Sequence, residues 1–260
     1  MKYGFFGCGN MGGAIASALS SATKDMIFCD RSGKAKTLAQ KLGVCYGSAA
    51  EVMNCERVFL GVKPHMMKDA LAPYQEILAA RKPLLISMAA GLTTQQIQNF
   101  AGTDLPVIRI MPNTPTAVGK GVIPYCSNEL VTEEQLRDWL QDMAVCGLCD
   151  PLPENLMDAA SALSGSGPAY LYVLLEALAD GAVACGLPRE KALRYGAMTM
   201  AGAAEMFLAT GKNPGKLKDE VCSPGGSTIA GIRELEAKGF RGAAMDCVVA
   251  AYKRNLELGK

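Results

Sequence analysis

Three glycines near the N-terminus have the spacing of a phosphate-binding turn. Gly7, Gly9 and Gly12 follow an apolar run and precede a helical pattern. In such a turn the first glycine permits the tight bend, the second lets backbone approach a pyrophosphate, and the third brings the helix close to the strand. The N–H groups that open the helix then face the phosphates. The spacing predicts dinucleotide binding, and an ordinary strand-turn-helix connection is the alternative.

The segment after the second predicted strand bears on which dinucleotide binds. Asp30 stands 18 positions after Gly12, close to the ~20 expected for the acid that binds an adenosine ribose, which favours NADH. The neighbouring Arg31, Ser32 and Lys34 could instead hold a 2′-phosphate, which favours NADPH. These two signals conflict, so the sequence leaves the cofactor as NADPH or NADH.

Short turns follow three further predicted strands, at residues 61–65, 87–91 and 109–115, and the small residues of the second leave room for a flat ring. Ligands of an open α/β sheet bind at the carboxyl ends of its strands. Within the last turn, Pro112 and Pro115 restrict the backbone so that Asn113 presents its amide in a defined direction. Each turn alone could be a simple connection, but together they predict the mouth of a cofactor site that includes Asn113.

Apolar runs alternate with helical patterns in the N-terminal part of the chain. The predicted strands lie at 3–6, 26–29, 58–62, 84–88 and 107–111, and the predicted helices at about 11–22, 32–42, 66–80 and 93–100. Further strands at 119–127 and 147–152 flank a helix at 132–145. Runs that are apolar on both faces and separated by helices predict a mostly parallel sheet covered on both sides.

Beyond residue 153 the pattern becomes helical, with stretches at about 154–163, 168–185, 188–209, 226–237 and 240–258. We therefore predict an α/β fold with a Rossmann-type, doubly wound domain over residues 1–153 and an all-α domain over residues 154–260. We predict two glycine-rich loops, 163–170 and 223–228, each of which precedes a helix in this half. Backbone donors and hydroxyls ahead of a helix suit a small carboxylate, although helix capping alone could explain either segment.

Composition excludes several classes of partner. The chain of 260 residues carries 26 basic and 25 acidic side chains, which gives no reason to expect a nucleic acid or an anionic membrane. No apolar run is long enough to span a bilayer, and the glycine turn interrupts any signal peptide. Ten scattered cysteines are unlike a secreted disulfide framework and predict reduced thiols in a cytoplasm.

The remaining candidate residues favour structural roles. His65, the one histidine, lies beside a proline at a strand end and reads as a helix-entry residue. Cys146 and Cys149 form a C-x-x-C that follows a helix instead of opening one, so we predict neither redox chemistry nor a metal site. Glu176 and Asp180 share a helical face and are typical of a solvated or interface stripe.

Five segments together resemble the pyrroline-5-carboxylate reductase family. The resemblance runs from about residue 2 to residue 258, and the last two of these segments are the most specific. The segments are residues 4–12, Val62-Lys-Pro-His65, Arg109-Ile-Met-Pro-Asn-Thr-Pro115, Leu163-Ser-Gly-Ser-Gly-Pro-Ala-Tyr170 and Leu217-Lys-Asp-Glu-Val-Cys-Ser-Pro-Gly-Gly-Ser-Thr228.

This resemblance implies reduction of the cyclic imine 1-pyrroline-5-carboxylate to L-proline by NADPH or NADH. It also implies that the helical half is a dimerisation domain similar to the C-terminal domain of 6-phosphogluconate dehydrogenase. The implied assembly is a homodimer, and such dimers often assemble further into a decamer, a pentamer of dimers. The chain departs from many relatives at Asp30, where they carry a residue friendlier to a 2′-phosphate.

The resemblance also implies site residues. The cofactor-binding residues fall at the pyrophosphate (Gly7, Cys8, Gly9, Asn10, Met11 and Gly12), at the adenosine ribose (Asp30, Arg31, Ser32 and Ser48) and at the nicotinamide (Val62, Lys63, Pro64, Ala89, Ala90 and Gly91). The substrate-binding residues are Glu154, Ser223, Gly225, Gly226, Ser227 and Thr228. We expect Thr228 to act in catalysis by hydrogen-bonding the ring nitrogen, which can take its proton from solvent without a strong general acid.

Two other functions compete with this one. A 3-hydroxyacid dehydrogenase would need a lysine shortly after a glycine-rich helix start, and the helix after Gly167 has none until Lys191. A dinucleotide-binding regulator or scaffold would have no need of a carboxylate site, so the glycine-rich loops at both 164–168 and 223–228 argue against it. Both alternatives are therefore less favoured than imine reduction.

Overall fold

A computed structural model describes residues 1–31 and 33–258, and its internal contacts divide the chain into two compact units. The first unit is Met1–Pro168 with Ala250–Lys260, and the second is Ala169–Val249. By contact, the short segment after residue 153 groups with the sheet of the first unit. The functional boundary at residue 153 stays a prediction.

The first unit is built on one eight-stranded sheet with the order β3-β2-β1-β4-β5-β6-β7-β8. Its strands are β1 (Tyr3–Phe6), β2 (Met26–Cys29), β3 (Cys45–Tyr46), β4 (Arg57–Leu60), β5 (Leu84–Ser87), β6 (Val107–Ile110), β7 (Gly121–Ser127) and β8 (Gly147–Pro151). Neighbouring strands are parallel except β6 and β7, which are antiparallel. The first six strands follow the order of a doubly wound dinucleotide-binding sheet, which confirms the predicted fold class.

Both faces of the sheet are buried along its central strands β1, β2, β4, β5 and β6, which explains why these strands are mostly apolar without alternation. Phe5 and Phe28 pack with Trp139 in a core cluster on one face. Ile27 and Val58 belong to a second cluster on the opposite face. Because side chains alternate along a strand, adjacent residues of one strand pack into the two clusters on opposite faces of the sheet.

The earlier helices of the chain cover the two faces of the sheet, and the later ones form the second unit. They are α1 (Asn10–Leu19), α2 (Lys34–Leu42), α3 (Ala49–Met53), α4 (Met67–Leu71), α5 (Gln75–Arg81), α6 (Thr94–Ala101), α7 (Glu133–Met143), α8 (Met157–Ala160), α9 (Gly167–Ala184), α10 (Arg189–Thr210), α11 (Pro214–Val221), α12 (Ser227–Ala237) and α13 (Phe240–Leu258).

Most predicted elements lie within two residues of those observed, and the differences have local causes. The single helix predicted at 66–80 is divided by the 3₁₀ turn Ala72–Tyr74, because Pro73 has no N–H to donate to a continuous helix. The strand β3, with α3 after it and α11 later in the chain, was not predicted. A strand of two residues is too short to carry a periodic pattern.

The second unit exposes most of its apolar surface. Of residues 169–249 only Ala179 and Ala192 are buried, whereas Val173 is 68% exposed and Leu208 is 76% exposed. A helical unit with so little internal core needs another surface to cover it. Within the described residues, no helix is both long and apolar enough to cross a membrane.

Candidate active site

A crevice of about 560 Å³ opens where β1, β2 and β4 end, a volume typical of small-molecule sites. The predicted cofactor residues that it brings together are Gly7, Cys8, Gly9, Asp30, Arg31, Ser48, Val62 and Lys63. Those that do not line it are Asn10, Met11, Gly12, Pro64, Ala89, Ala90, Gly91 and Asn113. Ser32 lies outside the described residues.

The glycine turn has the geometry that a pyrophosphate requires. Gly7 has a φ of +98°, and a Cβ at Gly12 would lie 2.6 Å from the carbonyl oxygen of Gly7, so a larger residue would push α1 away. A Cβ at Gly9 would meet nothing within 4 Å, which leaves the backbone open to a ligand. Gly9 caps α1 without any side-chain hydrogen bond. The first N–H groups of α1 are therefore available donors, and the turn fits a dinucleotide.

The carboxylate of Asp30 lies at the start of α2. Its Oδ1 accepts a hydrogen bond from the backbone N–H of Gly33 at 3.0 Å, and its Oδ2 accepts one from Ala35 at 3.1 Å. Ser48 is similarly engaged in a capping box that opens α3, because its Oγ accepts the N–H of Glu51 at 3.3 Å and its own N–H donates to Oε2 of Glu51 at 2.7 Å. Two residues predicted to surround the ribose thus also begin the helices beside it.

Part of the lining of the crevice was not predicted. It is formed by Met66, Asp69, Ala70, Pro73 and Tyr74, which come from the broken helical stretch after β4. Their position directly beyond the carboxyl end of a central strand could have identified them. The predicted single helix placed them on a covering face instead.

Two thiols that line the crevice are unreactive at neutral pH. Burial, reinforced by the nearby Asp30 carboxylate, raises the pKa of Cys8 to about 12. Burial also raises the pKa of Cys29 to about 12. Both thiols are protonated at neutral pH and are not nucleophiles. No group of three potential metal ligands occurs within the described part of the chain.

Asn113 acts within the protein through both ends of its amide. Its Nδ2 donates to the carbonyl oxygen of Ser164 at 2.9 Å, and its Oδ1 accepts from the N–H of Val122 at 2.9 Å. The defined direction predicted for this amide is therefore observed, and it points to backbone. A contact with the cofactor stays a prediction for this residue.

A buried ion pair connects the sheet to the segment after β8. Arg109 on β6 is 2% exposed, and its Nη2 lies 2.8 Å from Oδ1 of Asp158. Its Nη1 lies 3.8 Å from Oε1 of Glu154, and that same oxygen accepts the backbone N–H of Thr94 at 2.7 Å. Glu154 therefore holds the start of α6, while its predicted contact with substrate stays a prediction. Sequence reasoning missed Arg109 and Asp158, whose pairing leaves no local pattern.

The segment 223–228 forms a tight turn before α12. Gly225 has a φ of +70°, and the N–H of Gly226 donates to the carbonyl oxygen of Ser223 at 3.0 Å. A Cβ at Gly226 would lie 2.4 Å from Oγ of Ser223. Gly226 caps α12 with no side-chain hydrogen bond, which leaves N–H donors of Ser227 and Thr228 suited to a carboxylate.

The other glycine-rich segment is not a loop, so the prediction for residues 163–170 is wrong. Residues Ser161–Gly165 form a π-helical turn that continues into α9. The N–H of Ser166 bonds to the carbonyl oxygen of Ser161 at 3.1 Å. Backbone donors that would have held an anion are therefore used within a nearly continuous helix.

The minor candidates occupy structural positions. His65 is exposed on the 3₁₀ turn Pro64–Met66, consistent with helix entry. Burial raises the pKa of Cys146 to about 12 and that of Cys149 to about 11, unlike the lowered values of redox thiols. Asp180 forms an exposed ion pair with Arg189 at 2.5 Å.

Comparison with known proteins covers both units. A family profile described as "Pyrroline-5-carboxylate reductase dimerisation" matches residues 154–258. A second profile, described as "NADP oxidoreductase coenzyme F420-dependent", matches residues 2–91. The first match covers the helical part and the second covers the beginning of the dinucleotide-binding part, while residues 92–153 lie in neither.

Individual relatives match over nearly their whole length. Pyrroline-5-carboxylate reductase from Pisum sativum is 40% identical over 261 residues, covering 98% of this chain and 95% of the relative. The protein of that name from Escherichia coli (strain K12) is 37% identical over 266 residues, covering 100% and 98%. The solved structure of Plasmodium falciparum pyrroline carboxylate reductase with NADP bound has a TM-score of 0.89 at 31% identity, covering 100% of this chain and 98% of that one.

Proposed function

The chain belongs to the pyrroline-5-carboxylate reductase family, and from that membership we propose what its own residues contribute to the reaction. It is an NAD(P)H-dependent oxidoreductase that reduces the C=N bond of 1-pyrroline-5-carboxylate to give L-proline, the last step of proline biosynthesis. The observation that supports this function most strongly is the sequence similarity to relatives of that name, which is 40% identity over 98% of this chain for the Pisum sativum protein. The glycine turn, whose geometry fits a dinucleotide, agrees with it.

We propose that the glycine turn and the first N–H groups of α1, which donate to no capping side chain, bind the pyrophosphate of NADPH or NADH. When bound, the reduced nicotinamide supplies hydride to the imine carbon of the substrate. Val62 and Lys63 line the crevice beyond the turn, which supports their proposed place on the path of the cofactor. The turn at Ala89, Ala90 and Gly91 is proposed to receive the nicotinamide itself.

We further propose that the turn before α12 binds the substrate. The open N–H groups at Ser227 and Thr228 and the hydroxyl of Ser223 would hold the carboxylate, and the hydroxyl of Thr228 would hydrogen-bond the ring nitrogen. The imine takes its proton from solvent, so the chain needs to supply orientation and no strong acid. Orientation alone can lower a barrier by several kcal/mol.

The helical part is a dimerisation domain by its family match, and a larger ring of dimers is our proposal. The exposed apolar side chains of residues 169–249 support a role in pairing with a second copy. We also propose a cytoplasmic location, supported by ten cysteines that are all free thiols. The near-neutral charge supports a small-molecule substrate and no nucleic-acid partner.

A turnover assay with a matched variant tests this function. Purified protein should oxidise NADPH or NADH only when 1-pyrroline-5-carboxylate is added. Gly9→Ala should keep the circular dichroism and melting temperature of the wild type, because its Cβ meets open space, yet raise the Kd of the cofactor at least about tenfold by blocking the approach to the pyrophosphate. Oxidation of 3-hydroxyacids with silence toward the imine would refute the function.

A further inference from the structure

Asp30, the acid that follows β2, stands at the position that usually determines the choice between NADPH and NADH. In many dinucleotide-binding sheets this carboxylate accepts the ribose hydroxyls and repels a 2′-phosphate. Asp30 occupies that position here and lines the crevice. The hydrogen bonds of its carboxylate, however, indicate a different role, and the inference made from them rests on the proposed function.

Asp30 performs the capping of α2 that the neighbouring sequence lacks. Gly33 stands at the cap position with a φ of +75° and has no side chain to accept a hydrogen bond. The first turn of α2 carries no acidic residue and begins with Lys34, a cation at the positive end of the helix dipole. Both carboxylate oxygens of Asp30 accept N–H groups there, from Gly33 and Ala35.

This arrangement changes what the carboxylate presents to a ligand. Two backbone donors and the helix dipole compensate part of its negative charge, so its repulsion of a nearby phosphate is reduced. Arg31, the next residue, lines the crevice, and a guanidinium is well suited to a phosphomonoester.

We propose that Asp30 is a positioning residue that fixes the start of α2 and does not select between NADPH and NADH. Selection falls to Arg31, which recognises the 2′-phosphomonoester of the adenosine. The chain therefore accepts NADPH despite an acid at the position usually associated with NADH.

Calorimetric binding to the folded, full-length protein separates these roles without any turnover. The ligands are NADPH, NADH, adenosine 2′,5′-bisphosphate and ADP. Asp30→Ala should raise the Kd of all four by a common factor of about 3 to 10 and lower the Tm by about 2–6 °C, since the cap is lost. Asp30→Asn, which keeps one acceptor oxygen, should recover most of both losses. Arg31→Ala should weaken only the two 2′-phosphorylated ligands, by about tenfold or more.

Asp69→Asn is the matched control, because Asp69 also lines the crevice and its replacement removes the same charge. The proposal is overturned if Asp30→Asn shifts the ratio of the NADPH and NADH dissociation constants about tenfold beyond the shift in this control. It is also overturned if Arg31→Ala weakens all four ligands equally. Normal binding by a protein that fails to reduce the imine would refute the proposed function and leave this inference standing.

Discussion

Replacing Asp158 by asparagine should destabilise the protein far more than an equivalent change at the surface. Arg109 is 2% exposed and lies 2.8 Å from Asp158, whose side chain is 18% exposed. Its other acidic neighbour, Glu154, is 3.8 Å away and 34% exposed. The Nε of Arg109 has no hydrogen-bond partner among the described residues. Asp158→Asn therefore leaves a buried guanidinium with one long and partly solvated ion pair.

Breaking a buried pair from one side costs about 3–5 kcal/mol, because the remaining charge is uncompensated. Glu154 retains part of the compensation, so we expect the lower end, about 3 kcal/mol. For a chain of this size 1 kcal/mol corresponds to about 2–4 °C in Tm. The expected decrease is thus about 6–12 °C in a thermal melt followed by circular dichroism. All melts need one protein concentration, since association also stabilises the folded state.

Two further variants make the test specific. Glu257→Gln removes an equally short pair, 2.6 Å from Arg254, in which both side chains are at least 60% exposed. It should lower the free energy of unfolding by less than about 1 kcal/mol. The double variant Asp158→Asn with Arg109→Met removes the stranded charge and should recover at least half of the loss. A Tm for Asp158→Asn within 2 °C of Glu257→Gln would refute the reasoning.

Three other outcomes follow from the described contacts. Gly12→Ala should lower the Tm, as a Cβ 2.6 Å from a backbone oxygen must displace α1; an unchanged melt would mean that the turn relaxes freely. Thr228→Ala should lower kcat at least about tenfold while the Kd of NADPH stays constant, and Thr228→Ser should restore it; wild-type turnover in the alanine variant excludes Thr228 from the mechanism. Burial raises the pKa values of Cys8 and Cys29 to about 12, so the folded state holds these protons more tightly than the unfolded chain. Their contribution to stability should be complete below about pH 8.5, the pKa of an unfolded thiol, and should decline as the pH rises toward 12. Urea midpoints measured from pH 8 to pH 11 would reveal this decline, and a flat profile would contradict it.

The central sheet and the glycine turn were predictable because their constraints are local. A strand such as β2, Met26–Cys29, is buried on both faces and is apolar at every position, and that pattern can be recognised along the chain. The three turn glycines each answer a separate steric demand, two of which appear as short distances to backbone. In these places the residue type and its structural cause lie within a few positions of each other.

The parts that escaped prediction depend on partners that are distant in sequence or on a local competition. Arg109 and Asp158 are 49 positions apart, and neither carries a local sign of the pairing. Asp30 matches the pattern of a ribose-binding acid, and that pattern gave no sign that its carboxylate also accepts the N–H groups of Gly33 and Ala35 at the start of α2. The serine and glycine residues of 163–170 resemble a loop, yet the π-helical turn accommodates them.

The small number of buried residues in 169–249 has a consequence for cells that carry one intact and one mutant gene copy. Because only Ala179 and Ala192 are buried within one copy of this segment, most of the burial of its apolar side chains must come from association, and its stability therefore depends on chain concentration. Specific activity should therefore fall on dilution. In a cell that produces sound and defective chains together, a sound chain would often be paired with a defective one. A substitution in these helices could consequently act on the product of the intact gene copy as well as on its own.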